Sequence, residues 1–195
     1  NPGIGSIIYS DDFSDESIWD TAISDQGNAA LSRNRLTLAV QPGVYLASMN
    51  REAVLGDFYA EVTARPSLCR GDDSYGIIIR STGNSFYRFT LNCNSMVSAE
   101  RIKSSVRLLM LPPTPSGDAP RGAPGEVKIG VWAVGNEMRL FLNGRYQFSI
   151  IDPSSPVGAF GVFTHGAEDT SASVTFSDLD VYDVNYIPPT RTPEP

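Results

Sequence analysis

The chain has 195 residues, 41% of them hydrophobic and 10% aromatic, and a formal net charge of −7. That is enough apolar material for one buried core, so global disorder is excluded, and an acidic chain without a basic face does not track nucleic-acid phosphates. No apolar run approaches the ~20 residues that cross a bilayer as a helix, and one histidine with no Cys-x-x-Cys pair leaves a zinc site almost no ligands.

In chain order, β-branched and aromatic runs fall at 6–10, 35–40, 44–49, 58–65, 74–81, 86–93, 96–103, 106–111, 126–134, 137–143, 145–151, 159–164 and 172–183, punctuated by turn residues. None carries a 3.6-residue period with helix caps. The pattern predicts an all-β, antiparallel, two-layered domain with little or no helix. Its clearest unit is a hairpin of 74–80 and 86–92 around Gly83-Asn84, residues that tolerate positive φ. Gly135-Asn136 and Asn143-Gly144 mark two more tight turns, the second a favoured type I′ pair.

Cys69 and Cys93 flank the open end of that hairpin. With its turn at Gly83, Cys93 lies opposite roughly Asp73, and residues 69–73 need only curl back for a disulfide to close. A bridge there fits an oxidising, extracellular or cell-surface setting; two buried free thiols are the other reading. The proline-rich stretch 112–125 cannot donate a regular ladder, so it is expected as a long surface loop. The single sandwich domain is expected over 1–187, with 188–195 as a Pro/Thr-rich polyproline-II linker or tail.

Several segments resemble bacterial concanavalin A-like, laminin-G-type jelly-roll domains. Asp11-Asp12-Phe13-Ser14-Asp15 followed by Trp19 is similar to their opening "DDFSDP…GW". Asp57-Phe58, Tyr75–Arg80 and Tyr87-Arg88-Phe89 resemble "DF", "GI.FR" and "YYRF" segments. Residues 139–144 resemble "L.LYVNG", and residues 176–182 resemble "FDNFVVY" with Ser177 in place of the usual Asp and Asp178 in place of the usual Asn. The likeness spans residues 10–183 and implies a concanavalin A-like jelly-roll sandwich. It leaves activity open, because the superfamily holds lectins, family-16 glucanases, 3-keto-glycoside hydrolase-like domains and surface modules. It also implies a structural calcium near the first and last strands, for which Asp11, Asp12 and Asp178 are the oxygen ligands available.

Alternation sorts the two faces of each run. Val127, Ile129, Val131 and Ala133 share one parity, as do Met138, Leu140 and Leu142, and these aliphatic sets are assigned to the core. Trp132, Phe141, Arg139 and Asn143 then point outward. In the first hairpin Tyr87, Phe89 and Leu91 point inward, with Arg80, Arg88, Thr90 and Asn92 outward and Glu100 beside them. An outward aromatic among Arg, Asn and Glu groups suits a sugar, whose ring faces stack and whose hydroxyls take charge-assisted hydrogen bonds. The competing reading is a cross-strand charge ladder and a Trp132 roofed by the proline segment. Near the end, Val174 and Phe176 share one parity and Leu179 and Val181 the other, which predicts a bulge at Ser177-Asp178.

Catalytic material is sparse. The Glu-x-Asp-x-Glu signature of family-16 enzymes is absent, Asp178 and Asp180 have no Glu nearby, Asp72-Asp73 and Glu168-Asp169 fall in turns, and His165 has no nucleophile-elbow partner. The expectation is therefore a non-catalytic extracellular module binding carbohydrate or another surface ligand. The alternatives are a structural or adhesive subunit that self-associates or contacts a cell-surface protein, and a glycoside-acting enzyme.

Overall fold

A computed structural model of the chain describes residues 2–186; the segment 188–195, expected as a linker or tail, lies outside the described residues. The strands are β1 (Ile4–Asp11), β2 (Ala22–Ile23), β3 (Gly27–Leu31), β4 (Leu36–Val40), β5 (Tyr45–Leu55), β6 (Phe58–Leu68), β7 (Ser74–Thr82), β8 (Ser85–Asn92), β9 (Met96–Lys103), β10 (Val106–Pro115), β11 (Val127–Val134), β12 (Glu137–Leu142), β13 (Arg145–Ile151), β14 (Gly158–His165) and β15 (Ala172–Val184). They form two antiparallel sheets, and no helix occurs among the described residues. The nine-stranded sheet runs β13-β12-β11-β6-β15-β4-β3-β2, with β1 also paired to β15; the six-stranded sheet runs β10-β9-β8-β7-β14-β5.

The core lies between the sheets. Val62, Ile129, Leu140, Phe176 and Val181 of the larger sheet and Ile77, Tyr87, Phe89 and Val162 of the smaller are all fully buried there. Full burial of one such side chain contributes about 1.5–3 kcal/mol relative to exposure. Because side chains alternate along a strand, this seam leaves every second residue on an outer face.

Three local features depart from the sequence pattern. Strands β2 and β3 were not evident, because Gly27-Asn28-Ala29-Ala30 has weak strand propensity; pairing with β4 imposes the conformation. Strand β5 runs on past Met49 to Leu55, with the Asn50 side-chain carbonyl accepting the Glu52 and Ala53 N–H groups where the ladder kinks. The proline stretch is not wholly a loop: β10 continues through Pro112 and Pro113, pairing Thr114 with Val97 and Pro115 with Met96. Proline is tolerated there because β10 is an edge strand with one side free of ladder bonds.

The predicted bulge in β15 is present. Its register against β6 slips between Ser177 and Asp180, and Asp178 takes φ 56°. Cys69 and Cys93 form a disulfide with Cα atoms 5.7 Å apart, and the Cys93 N–H donates to the Asp73 carbonyl at 3.0 Å. Asp73 is itself buried, its carboxylate accepting the Arg70 and Ala167 N–H groups at 2.8 Å each and the Thr170 hydroxyl.

The bridge spans a sequence separation of 24, for which loop closure in the unfolded chain costs about 3.5 kcal/mol. Urea denaturation of a Cys69→Ser/Cys93→Ser variant is expected to show a loss of about that size; an unchanged midpoint would mean that the bridge contributes nothing to the fold.

Candidate functional site

The outer face of the six-stranded sheet carries a groove of about 250 Å³. Period-2 alternation builds its charged wall. Arg88 and Thr90 project outward from β8 between the inward Tyr87, Phe89 and Leu91, and Ser98 and Glu100 do so from β9. Glu100, paired across the strands with Arg88, accepts the Arg88 Nε–H at 2.6 Å on one carboxylate oxygen. Its other oxygen takes the Arg107 Nε–H from β10. The Glu100 carboxylate is thus buried but held between two guanidinium groups, the arrangement a desolvated charge needs.

Arg88 in turn lies over the rings of Tyr45 and Phe163, 4.9 Å and 5.2 Å from their centroids. Between Thr90 and Phe163 in the sheet register stands Gly76, which adds no side chain to the floor. A Cβ at Gly76 would collide with the Phe89 carbonyl and lie 3.1 Å from the Phe163 ring, so the depression depends on glycine there. The hydroxyls of Ser74, Thr90 and Ser98 line the groove and make no hydrogen bond to other described residues.

At the far end, His165 pairs in register with Tyr45 and Ser74. Burial lowers the His165 pKa below the ordinary histidine range, the positive charge of Arg88 adds to this, and Asp73 partly opposes it. Burial raises the Tyr45 hydroxyl, with Arg88 opposing. Near neutral pH the groove therefore offers neutral hydroxyls and imidazole, one carboxylate and two guanidinium groups. It can stack an apolar ring face, hydrogen-bond hydroxyls and pair with an anion.

Of the candidate ligand-binding residues Arg80, Arg88, Glu100, Trp132, Arg139, Phe141 and Asn143, Arg88 and Glu100 meet here, joined by Thr90, which was also read as outward. The others do not. Arg80 was expected outward, but β7 bulges between Ile79 and Thr82 and Arg80 takes φ 51°, which turns it inward to 1% exposure. Its guanidinium donates to the carbonyls of Gly135 at 2.7 Å and Gly56 at 3.3 Å and lies 3.7 Å from Asp57, tying the ends of the two sheets together.

Trp132, Arg139 and Phe141 lie on the outer face of the nine-stranded sheet, on the other side of the sandwich from Arg88 and Glu100. Trp132 is fully buried, and its roof is not the proline segment. Its Nε1–H donates to the Pro2 carbonyl at 2.7 Å, Arg139 sits 4.2 Å above its ring, and Tyr186 packs edge-on at 5.2 Å. Glu137 accepts the Arg139 Nε–H at 2.7 Å, and Phe141 packs between Tyr59 and Tyr146. Asn143 has φ 50° and its side-chain oxygen accepts the Lys128 N–H at 2.9 Å, a turn role.

Sequence reasoning missed Tyr45, Phe163, Arg107, Ser74 and Ser98. Parity placed Arg88 and Glu100 outward, but only strand order brings β5, β14 and β10 around them.

The oxygen ligands suggested for calcium do not fit that role. Asp11 accepts the Phe13 N–H at 2.8 Å and the Trp19 Nε1–H at 2.5 Å, anchoring a stacked Phe13–Trp19 corner. Asp12 accepts the Ser14 N–H at 3.0 Å and the Asn34 side-chain amide at 3.4 Å, while Asp178 is exposed on the bulge and accepts the Ser177 hydroxyl. Among the described residues no group of three or more His, Cys, Asp or Glu side chains could hold a metal ion. The bulge also removes the regular spacing that would have paired Asp178 with Asp180, whose carboxylate accepts the Ser10 hydroxyl at 2.6 Å.

The architecture is the expected two-sheet jelly-roll sandwich of concanavalin A-like type, a fold that solved structures of a carbohydrate-binding module and of β-glucanases also have. Neither a protein-family model nor a curated protein matches the chain. Solved structures do. The carbohydrate-binding module CBM66 from Bacillus subtilis superposes with a TM-score of 0.69 at 15% identity, covering 85% of this chain and 96% of that one. A Bacillus licheniformis β-glucanase gives 0.67 at 9% identity, covering 91% and 98%. The catalytic domain of an endo-1,3-β-glucanase (laminarinase) from Thermotoga petrophila RKU-1 gives 0.63 at 9%, covering 93% and 98%. At these identities the likeness establishes the fold.

Two measurements separate structural from groove residues. Trp132→Ala is expected to cost roughly 3–5 kcal/mol in urea denaturation, since it empties a roofed site; a loss below 1 kcal/mol would contradict that packing role. His165, with a folded pKa below its unfolded value, binds fewer protons in the native state as pH falls, so stability declines on acidification from about pH 6.5. Urea midpoints at pH 7.5 and 5.5 should differ less for His165→Gln than for wild type; equal differences would remove His165 as a cause.

Proposed function

We propose that the protein is a non-catalytic extracellular module that binds carbohydrate in the groove on the outer face of its six-stranded sheet. The observation that carries this reading is the groove itself. Ser74, Thr90 and Ser98 present unpaired hydroxyls beside Tyr45 and two guanidinium groups, over a floor cleared by Gly76. Sugars are held by that combination of ring-face stacking and planar polar groups. A carbohydrate-binding module and two glucanases with the same fold lend the reading further support, and the disulfide fits an oxidising compartment outside the cell.

The non-catalytic part rests on carboxylates. Hydrolysis of a glycosidic bond commonly uses two carboxyl groups across the scissile bond. Among the described residues Glu100 is the single carboxylate lining this groove, and both its oxygens are engaged by arginine. No second carboxyl of the described residues lines it; Asp72 lines the adjoining depression.

A glycan array probed with wild type, Tyr45→Ala and Thr90→Tyr tests the proposal. Wild type is expected to bind a defined glycan set, Tyr45→Ala to weaken it about tenfold through lost stacking, and Thr90→Tyr to abolish it by filling the groove. Phe141→Ala, on the opposite sheet, should bind as wild type does. Binding unaffected by Thr90→Tyr would place the site elsewhere, and no binding to any glycan would sink the reading. Release of reducing ends from a bound glycan, lost in Glu100→Gln, would make the groove an active site instead.

A further inference from the structure

The groove reads as more than a neutral-sugar site because its charges do not balance. Two guanidinium groups face one carboxylate along its wall, in a chain whose net charge is −7. The two arginines are not equivalent. Arg88 is largely covered, lies over Tyr45 and Phe163, and directs both Nε and one terminal nitrogen at the same Glu100 oxygen. Arg107 gives Glu100 only its Nε–H, and its side chain is 63% exposed. Its two terminal nitrogens make no bond to another described residue.

We propose that the groove selects an acidic saccharide, and that Arg107 is the residue that receives its carboxylate or sulfate group. This rests on the groove being a carbohydrate site. Glu100 fixes one edge of the planar Arg107 fork, and the opposite edge is left pre-oriented for a bidentate partner, which a carboxylate or a sulfate ester supplies and a neutral hydroxyl does not. A rigid donor pair loses less entropy on pairing than a freely rotating one.

Position supports the same assignment. Arg107 lines both the groove and an adjoining depression that reaches Asp72, Asn92 and Pro113, and Ser74, Thr90 and Ser98 border both. The Asp72 carboxylate there accepts the Asn94 side-chain amide at 3.2 Å, so the acidic group is placed at Arg107 and not at the Asp72 end. An oligosaccharide running from one depression to the other passes Arg107 at the junction, with hydroxyl partners on either side. The acidic surface elsewhere works against long-range attraction of an anion, so selectivity comes from contact at Arg107 and is weakened, not removed, by salt.

An array that pairs neutral glycans with their uronate and sulfated counterparts, followed by titration calorimetry of the best pair at 50 and 500 mM NaCl, tests this. The acidic member is expected to bind at least tenfold more tightly at low salt, with the gap narrowing at high salt. Arg107→Gln should bring acidic and neutral members within about twofold, while Arg145→Gln, at an exposed arginine of the other sheet, should leave the preference intact. The uronate and sulfate arms show which anion is preferred. Equal or tighter binding of the neutral member, or an acidic preference that survives Arg107→Gln, overturns the proposal while leaving the carbohydrate reading in place. Failure to bind any member of the array removes both.

Discussion

Closure of two aliphatic sheet faces on one another decides which side of each strand is left for anything else. Ile129, Leu140 and Val181 meet Ile77, Phe89 and Val162 in the seam, and a strand committed there through one parity presents the other parity to water. Arg88 and Thr90 face outward because Tyr87, Phe89 and Leu91 cannot. A one-residue slip in β8 would send the guanidinium into the core and the tyrosine into the groove, so the groove's chemistry and the core's apolar content are fixed by the same register.

The two outer faces have then diverged. On the nine-stranded sheet the large groups are consumed internally: Trp132 is enclosed by Pro2, Arg139 and Tyr186, and the Tyr59 hydroxyl donates to Glu61 at 2.6 Å. On the six-stranded sheet a smaller set is left partly unsatisfied. Glu100 has its partners, but the hydroxyls around it and the far side of Arg107 do not. Arginine over aromatic rings occurs on both faces, so that pairing alone does not mark a site. What distinguishes them is whether polar capacity is left over once the fold has been served.

Alternation in the sequence was sufficient for the antiparallel two-layered fold and the first hairpin, it brought Cys69 and Cys93 within reach of a bridge while leaving free thiols open, and it put Arg88 and Glu100 on the correct side of their strands. It failed where the backbone stops alternating. Arg80 obeys the pattern until the β7 bulge and a positive φ reverse it, and a Ser-Thr-Gly-Asn turn nearby gives no sign of that. The β15 bulge was legible because apolar residues on both sides of it, Phe176 and Leu179, switch parity; nothing equivalent flanks Arg80. Trp132 was placed on the right face, but its cover comes from residues 130 positions earlier and 54 later in the chain, contacts that no local pattern encodes. The groove was half visible for the same reason. Its β8 and β9 wall is local, whereas Tyr45 and Phe163 arrive through strand order.

The pairing of β1 with β15 has a mechanical meaning. The Asn185 N–H donates to the Gly3 carbonyl at 2.8 Å, so both ends of the described chain leave side by side from neighbouring antiparallel strands. Tension drawn between those ends loads the rungs singly, and β1 peels away like a zipper while the sheets remain stacked.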